Sequence, residues 1–223
     1  MQAEIEAALG NLLPAPAALT VAGRTDAGVH AWGQVASFEA ETKRGPDELR
    51  RALNALTPGE IAILAVSEAP PGFDARRDAR SRAYCYRVLA DRVESPFERG
   101  RALWWPYGVD RGALAACAAA VSGTHDFTAF TPTETEHVRF ERDVLRCEWL
   151  EGSGLGATGV LELWIEADAF MRNMVRVLVG TMLEVTAGRR SLEDFTELLK
   201  GAPRERAGET APAHGLYLAS VEY

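Results

Sequence analysis

The residues of this chain best suited to chemistry lie in Gly23-Arg24-Thr25-Asp26-Ala27-Gly28-Val29-His30-Ala31. Gly23 and Gly28 bracket a short loop in which backbone can come close to a ligand. An aspartate carboxyl is ionised at neutral pH and can serve as a nucleophile or a base. Asp26 also fits an Asx turn that only shapes the loop, and spacing alone leaves both readings open. A second charged group stands out further along. Arg176 sits among Met174, Val175, Val177, Leu178 and Val179. An arginine on so apolar a helix should have an acidic partner; otherwise it must snorkel to solvent at the helix margin. His30, His125 and His214 show no metal-ligand spacing, and none is assigned a catalytic part.

These residues need elements to position them. Ile5 and Leu9, four apart, predict a helix over 2–10, broken by Pro14 and Pro16. Short strands are expected at 19–22, leading into Gly23, and at 34–38, and a buried strand at 61–66. Pro46 opens a helix that runs to Leu56. Residues 83–89 alternate, with Tyr84, Tyr86 and Val88 on one face and Cys85, Arg87 and Leu89 on the other. The segment 104–106 reads as a connector, and 110–122 as an alanine-rich helix. Strands at 143–150 and 160–167 flank the glycine-rich turn 152–156. A long helix is expected over 170–185, ended by Gly188. Ser191, with Asp194 three residues on, starts another helix as a cap would, and 216–223 closes as a strand. Mixed helices and antiparallel-looking strands indicate an α+β fold.

The bulk properties narrow the function. A chain of 223 residues suits one large or two small domains. No apolar run approaches the ~18 residues of a membrane span, and the acidic start lacks the features of a signal peptide. Cys85, Cys117 and Cys147 suggest neither a disulfide framework nor a zinc site, so a reducing cytoplasm is expected. The net charge of -8 argues by itself against nucleic acid. Its distribution argues otherwise. Only Lys43 and Lys200 are lysines, whereas Arg76, Arg77, Arg80, Arg82 and Arg87 crowd one stretch and Arg172 precedes Arg176. Guanidinium forks suit phosphate, carboxylate and base stacking, although solvated faces would also hold them.

The Asp26 stretch resembles the active-site motif of TruA-type tRNA pseudouridine synthases. The likeness continues in order through 53–61, Phe73-Asp74-Ala75-Arg76, 82–87, 123–130, Phe170-Met171-Arg172-Asn173-Met174-Val175-Arg176, 180–185 and 210–218. It implies the pseudouridine synthase fold: two similar α/β halves, 1–105 and 106–223, with antiparallel sheets joined around a central active-site cleft. By the same resemblance Asp26 is the nucleophile and Arg176 the arginine paired with it. A bidentate pair would hold the carboxylate charged and aimed. Tyr84 contacts substrate, its ring stacked on an extruded uracil. Arg24 helps extrude the base or hold RNA, and Leu216 packs near the flipped base or simply fills core. The resemblance further implies conversion of uridine to pseudouridine at positions 38, 39 and 40 of the tRNA anticodon arm. It implies no cofactor or metal, and a homodimer with Arg76, Arg77, Arg80 and Arg82 lining a groove for RNA.

The chain departs from the family pattern at its start, where relatives carry another strand and a Tyr-Asp-Gly loop; a misassigned start codon is the expected reason. Two other readings compete with the enzyme. One is a truncated, non-catalytic tRNA-binding protein. The other is an Asp-nucleophile hydrolase, for which no phosphate loop, metal cluster or hydrolase elbow is present in the sequence.

Overall fold

A computed structural model describes residues 1–135 and 138–223. The chain divides into two compact units, residues 1–24 with 34–79, and residues 25–33 with 80–223.

The smaller unit is built on two helices, α1 (Gln2–Leu12) and α2 (Pro46–Leu56). Pro46 stands in the first turn of α2, where its missing N–H costs nothing. Leu49 and Leu53, four apart, bury one stripe of α2 against Ala8, Leu9, Leu13, Ala17 and Leu19. Strands β1 (Thr20–Val21) and β3 (Ala36–Ser37) pair antiparallel beside them. The strand expected at 61–66 has no ladder among the described residues. The Asn54 side chain replaces one: its Nδ2 donates to Ile63 O at 2.9 Å, and Ile63 N donates to its Oδ1 at 2.8 Å. A single amide satisfies both backbone groups of Ile63.

The larger unit carries a seven-stranded sheet. Its members are β2 (His30–Ala31), β4 (Ser81–Leu89), β5 (Leu103–Trp104), β6 (Gly123–Asp126), β7 (Glu141–Glu151), β8 (Val160–Ala167) and β9 (Leu216–Glu222). The order is β2-β9-β4-β8-β7-β6, with β5 beside β4. The pairs β9–β4, β4–β8, β8–β7 and β7–β6 are antiparallel, and the two-residue strands β2 and β5 join in parallel. Helices and a mainly antiparallel sheet bear out the α+β expectation. The connector at 104–106 proves to begin as a strand, because Trp105 N donates to Leu89 O at 2.8 Å and continues the β5 pairing.

Three helices complete this unit: α3 (Arg111–Val121), α4 (Met174–Thr186) and α5 (Leu192–Leu198). Nine of the thirteen α4 residues are buried, so this helix is apolar almost all round and runs through the core. Tyr84, Tyr86 and Val88 of β4 belong to that same core. Fully burying side chains such as Leu178 or Phe195 contributes about 1.5–3 kcal/mol each. Gly188 ends α4 with φ +67, donating its N–H to Val185 O while Arg189 N donates to Glu184 O. Only a residue at ease in left-handed backbone closes a helix in this way. Ser191 caps α5 through Asp194 N.

The opposite side of β4 shows where one of the crowded arginines goes. Arg87 is buried, its Nη1 donating to Glu98 Oε2 at 2.8 Å and its Nη2 to Ser153 O at 2.8 Å. Glu98 Oε1 also accepts from Leu155 N. Arg87 therefore clamps the glycine-rich turn after β7 and is not available to phosphate.

Candidate active site

Asp26 lies in the loop entering β2. Val29 N donates to Asp26 O at 3.0 Å, closing a tight turn, and buried Val29 anchors that turn in the main core. Gly28 has φ +84, and a Cβ there would stand 3.4 Å from Ala213 Cβ. The left-handed backbone favours glycine, while the Cβ distance alone would be an ordinary contact. The Asp26 carboxylate is left 46 % exposed, within reach of a ligand.

Arg176 is the third residue of α4. Its Nη1 donates to Asp26 Oδ2 at 3.3 Å and to Asn173 Oδ1 at 3.0 Å, while its Nε donates to Ala211 O at 2.7 Å. The side chain is only 17 % exposed, so it does not snorkel. The contact with Asp26 uses one nitrogen and one oxygen and is not the two-bond fork expected from the sequence. The guanidinium's Nε is already committed to a backbone carbonyl, which turns the fork away from a parallel alignment with the carboxylate.

The segment supplying that carbonyl is pinned from two sides. Ala211 N donates to Arg176 O at 3.1 Å. Tyr86 OH donates to Pro212 O at 2.8 Å, and a Cβ on Gly215 would fall 2.7 Å from the Tyr86 ring. Tyr86 thus holds the stretch that aims Arg176.

Tyr84 is buried on β4, opposite Leu218 of β9 and Ile165 of β8, next to a register shift between Ala83 and Tyr84. Its ring meets Phe170 edge-on at 4.9 Å between centroids. Burial pushes the phenol up to about 12; Arg82 opposes this, and the charge of Asp26 adds to it. Tyr84 therefore keeps its proton at neutral pH and shares an electrostatic environment with Asp26.

Leu216 is buried in the main core opposite Tyr86, which matches the core-filling role as well as a place beside a ligand. Arg24 is exposed and belongs to the smaller unit. His30 stacks on Tyr217 at 4.7 Å, and its Nε2 donates to Gly100 O. His125 Nε2 donates to Ser122 O at 3.0 Å. Both histidines are engaged in structure. Among the described residues no group of three or more His, Cys, Asp or Glu is arranged to hold a metal ion, and no helix is long and apolar enough to cross a membrane.

Sequence reasoning did not single out Asn173, Phe170 or the Ala211 carbonyl. The first two lie in a block read as continuous helix. In fact α4 begins only at Met174, because Asn173 adopts φ +63. Asparagine's tolerance of left-handed backbone was the available signal.

What the arrangement offers is an ionised carboxylate steadied by a guanidinium, near a neutral phenol and an aromatic edge. Comparison with known proteins points the same way. A family model described as tRNA pseudouridine synthase matches residues 117–223. The tRNA pseudouridine synthase A of Geobacillus sp. (strain WCH70) is 37% identical over 224 residues, covering 100% of this chain and 88% of that protein. The protein of the same name from Thermus thermophilus is 38% identical, over 100% of this chain and 87% of its own length. That from Roseiflexus sp. (strain RS-1) is 40% identical, over 100% and 82%.

Proposed function

This chain belongs to the tRNA pseudouridine synthase A family, and we propose that it converts uridine to pseudouridine at positions 38, 39 and 40 of the tRNA anticodon arm, with Asp26 as nucleophile. The observation that carries this reading is the ion pair of Asp26 with Arg176, set on a core helix in the same unit as Tyr84. The reaction is an isomerisation. The bond from ribose C1′ to uracil N1 breaks, and a bond from C1′ to C5 forms. The proton on C5 is lost and one is gained at N1, so no redox partner is required. An ionised carboxylate must come within reach of the ribose, and Asp26 is exposed enough to do so. The uridine must also leave its stack, at a cost of a few kcal/mol.

In this reading Tyr84 stacks on the extruded uracil, and its proton-bearing hydroxyl donates a hydrogen bond. Leu216 packs beside the base, and Arg24, exposed on the smaller unit, contacts RNA. Arg76, Arg77 and Arg80 are exposed and Arg82 half-buried, a set suited to phosphates, which supports recognition by RNA shape more than by base sequence. Three buried free thiols support a reducing, cytoplasmic setting. A homodimer is carried over from the family resemblance alone.

The test is direct. Incubated with unmodified tRNA, the parent chain forms pseudouridine at 38–40, mapped by sequencing. Asp26→Asn abolishes conversion and leaves tRNA affinity within about twofold, since base-independent affinity rests on cations. A parent that binds tRNA without converting it would be a non-catalytic tRNA-binding protein. An Asp26→Asn variant with the parent's rate would remove the nucleophile.

A further inference from the structure

Asn173 is the one non-glycine residue with positive φ among the described residues, at +63. Backbone strain of this kind persists where surrounding structure enforces it, and it clusters at functional sites. Here it has two consequences. It separates the irregular stretch Phe170-Met171-Arg172 from α4, so that the helix starts at Met174 and Arg176 falls in its first turn. It also turns the Asn173 side chain back along the helix, where Oδ1 accepts the Arg176 Nη1 bond at 3.0 Å. That nitrogen is the one that reaches Asp26 Oδ2 at 3.3 Å. With Nε held by Ala211 O at 2.7 Å, two neutral oxygens fix the guanidinium from different directions before the carboxylate is considered.

We propose that Asn173 is a positioning residue for the isomerisation: its amide oxygen orients the Arg176 guanidinium that aims Asp26. A neutral acceptor is the right chemistry for this task. It engages one proton of Nη1 and adds no second negative charge to compete with Asp26. The backbone carbonyl of Ala211 meets the same requirement. Among the described residues Asp26 is the one carboxylate in an ion pair with Arg176, so the guanidinium's charge is directed to it.

The inference rests on Asp26 and Arg176 acting as proposed above, so its test includes a readout that does not need turnover. Asn173→Gly keeps the left-handed backbone and removes the amide; Asn173→Asp keeps both the backbone preference and an acceptor oxygen. Arginine-selective NMR reads rotation of the Arg176 guanidinium about its Nε–Cζ bond. The expected result is slow rotation in the parent and in Asn173→Asp, and faster rotation in Asn173→Gly. In tRNA conversion, Asn173→Gly should lower kcat about tenfold with KM unchanged, the size of losing one hydrogen bond to a charged group, and Asn173→Asp should recover part of the loss. Equal rotation in parent and Asn173→Gly overturns the proposal whether or not the parent converts tRNA. A parent that converts no tRNA defeats the functional reading, while the NMR comparison still decides whether Asn173 orients Arg176.

Discussion

At the scale of single residues, Arg176 illustrates why charge alone does not define a site. Its Nε and Nη1 serve three acceptors, Ala211 O, Asn173 Oδ1 and Asp26 Oδ2. A lysine ammonium would keep the positive charge but carries its three donors on one rotatable nitrogen at the end of a flexible stem. Arg176→Lys should therefore lower pseudouridine formation by about tenfold or more while leaving tRNA affinity close to the parent's. Single-turnover conversion and a binding titration check the two halves of that statement. A lysine variant with full activity would mean that charge suffices and direction does not. Contrast Arg87, whose equally good bonds to Glu98 and Ser153 O hold a turn together and touch none of the reacting groups.

At the scale of elements, the site depends on how closely the stretch 208–212 lies against α4. Gly180 permits that approach: a Cβ there would stand 1.9 Å from Glu209 O. Thr181 Oγ1 meanwhile accepts from Gly208 N at 3.0 Å, and the hydroxyl donates to Val177 O. Gly180→Ala must push backbone away, since no flexible side-chain end can yield in its place. We expect a destabilisation of about 1–3 kcal/mol and a loss of turnover beyond what stability explains, because Ala211 O moves off Arg176. Denaturant unfolding and tRNA conversion measured together check this. Gly10→Ala in α1 is the contrasting control. Nothing lies within 4 Å of the added Cβ, so this change should stabilise by about 0.5–1 kcal/mol through helix propensity.

At the scale of the whole molecule, the larger unit buries groups that resist ionisation. Burial pushes the thiols of Cys85 and Cys147 up to about 12 from an ordinary 9.0, and that of Cys117 up to about 11. It also pushes the Tyr84 phenol up to about 12 from 10.0. Between the ordinary and the shifted values the unfolded chain has released protons that the native state still holds. Raising the pH through that window therefore favours unfolding. The contribution is fully present below pH 9.0 and is lost progressively as pH rises towards about 12. The expected outcome is a lower urea midpoint at about pH 10.5 than at about pH 8, with a smaller drop in Cys147→Ala. An equal drop in parent and variant would show that Cys147 does not take part.

How far the chain could be read before folding follows from the range of the interactions involved. Local rules account for α2 from Pro46 to Leu56, for β8 from Val160 to Ala167, for the Gly188 stop and for the Ser191 cap. The ordered motifs through 210–218 identified the family, and the apolar setting of Arg176 called for an acidic partner. Other features depend on contacts remote in sequence. The segment expected as a strand at 61–66 has no ladder among the described residues, and Ile63 instead bonds the Asn54 amide, an outcome that periodicity does not encode. The short strands β2 and β5 exist only because β9 and β4 lie beside them. The delayed start of α4 turned on one backbone angle at Asn173. Sequence by itself determined which groups could react, because residue type and order carry that chemistry. Only tertiary structure decided that Asp26 and Arg176, 150 positions apart, would meet through a single nitrogen, because that geometry is set by Ala211 O and Asn173 Oδ1, which become neighbours of the guanidinium once the core has packed.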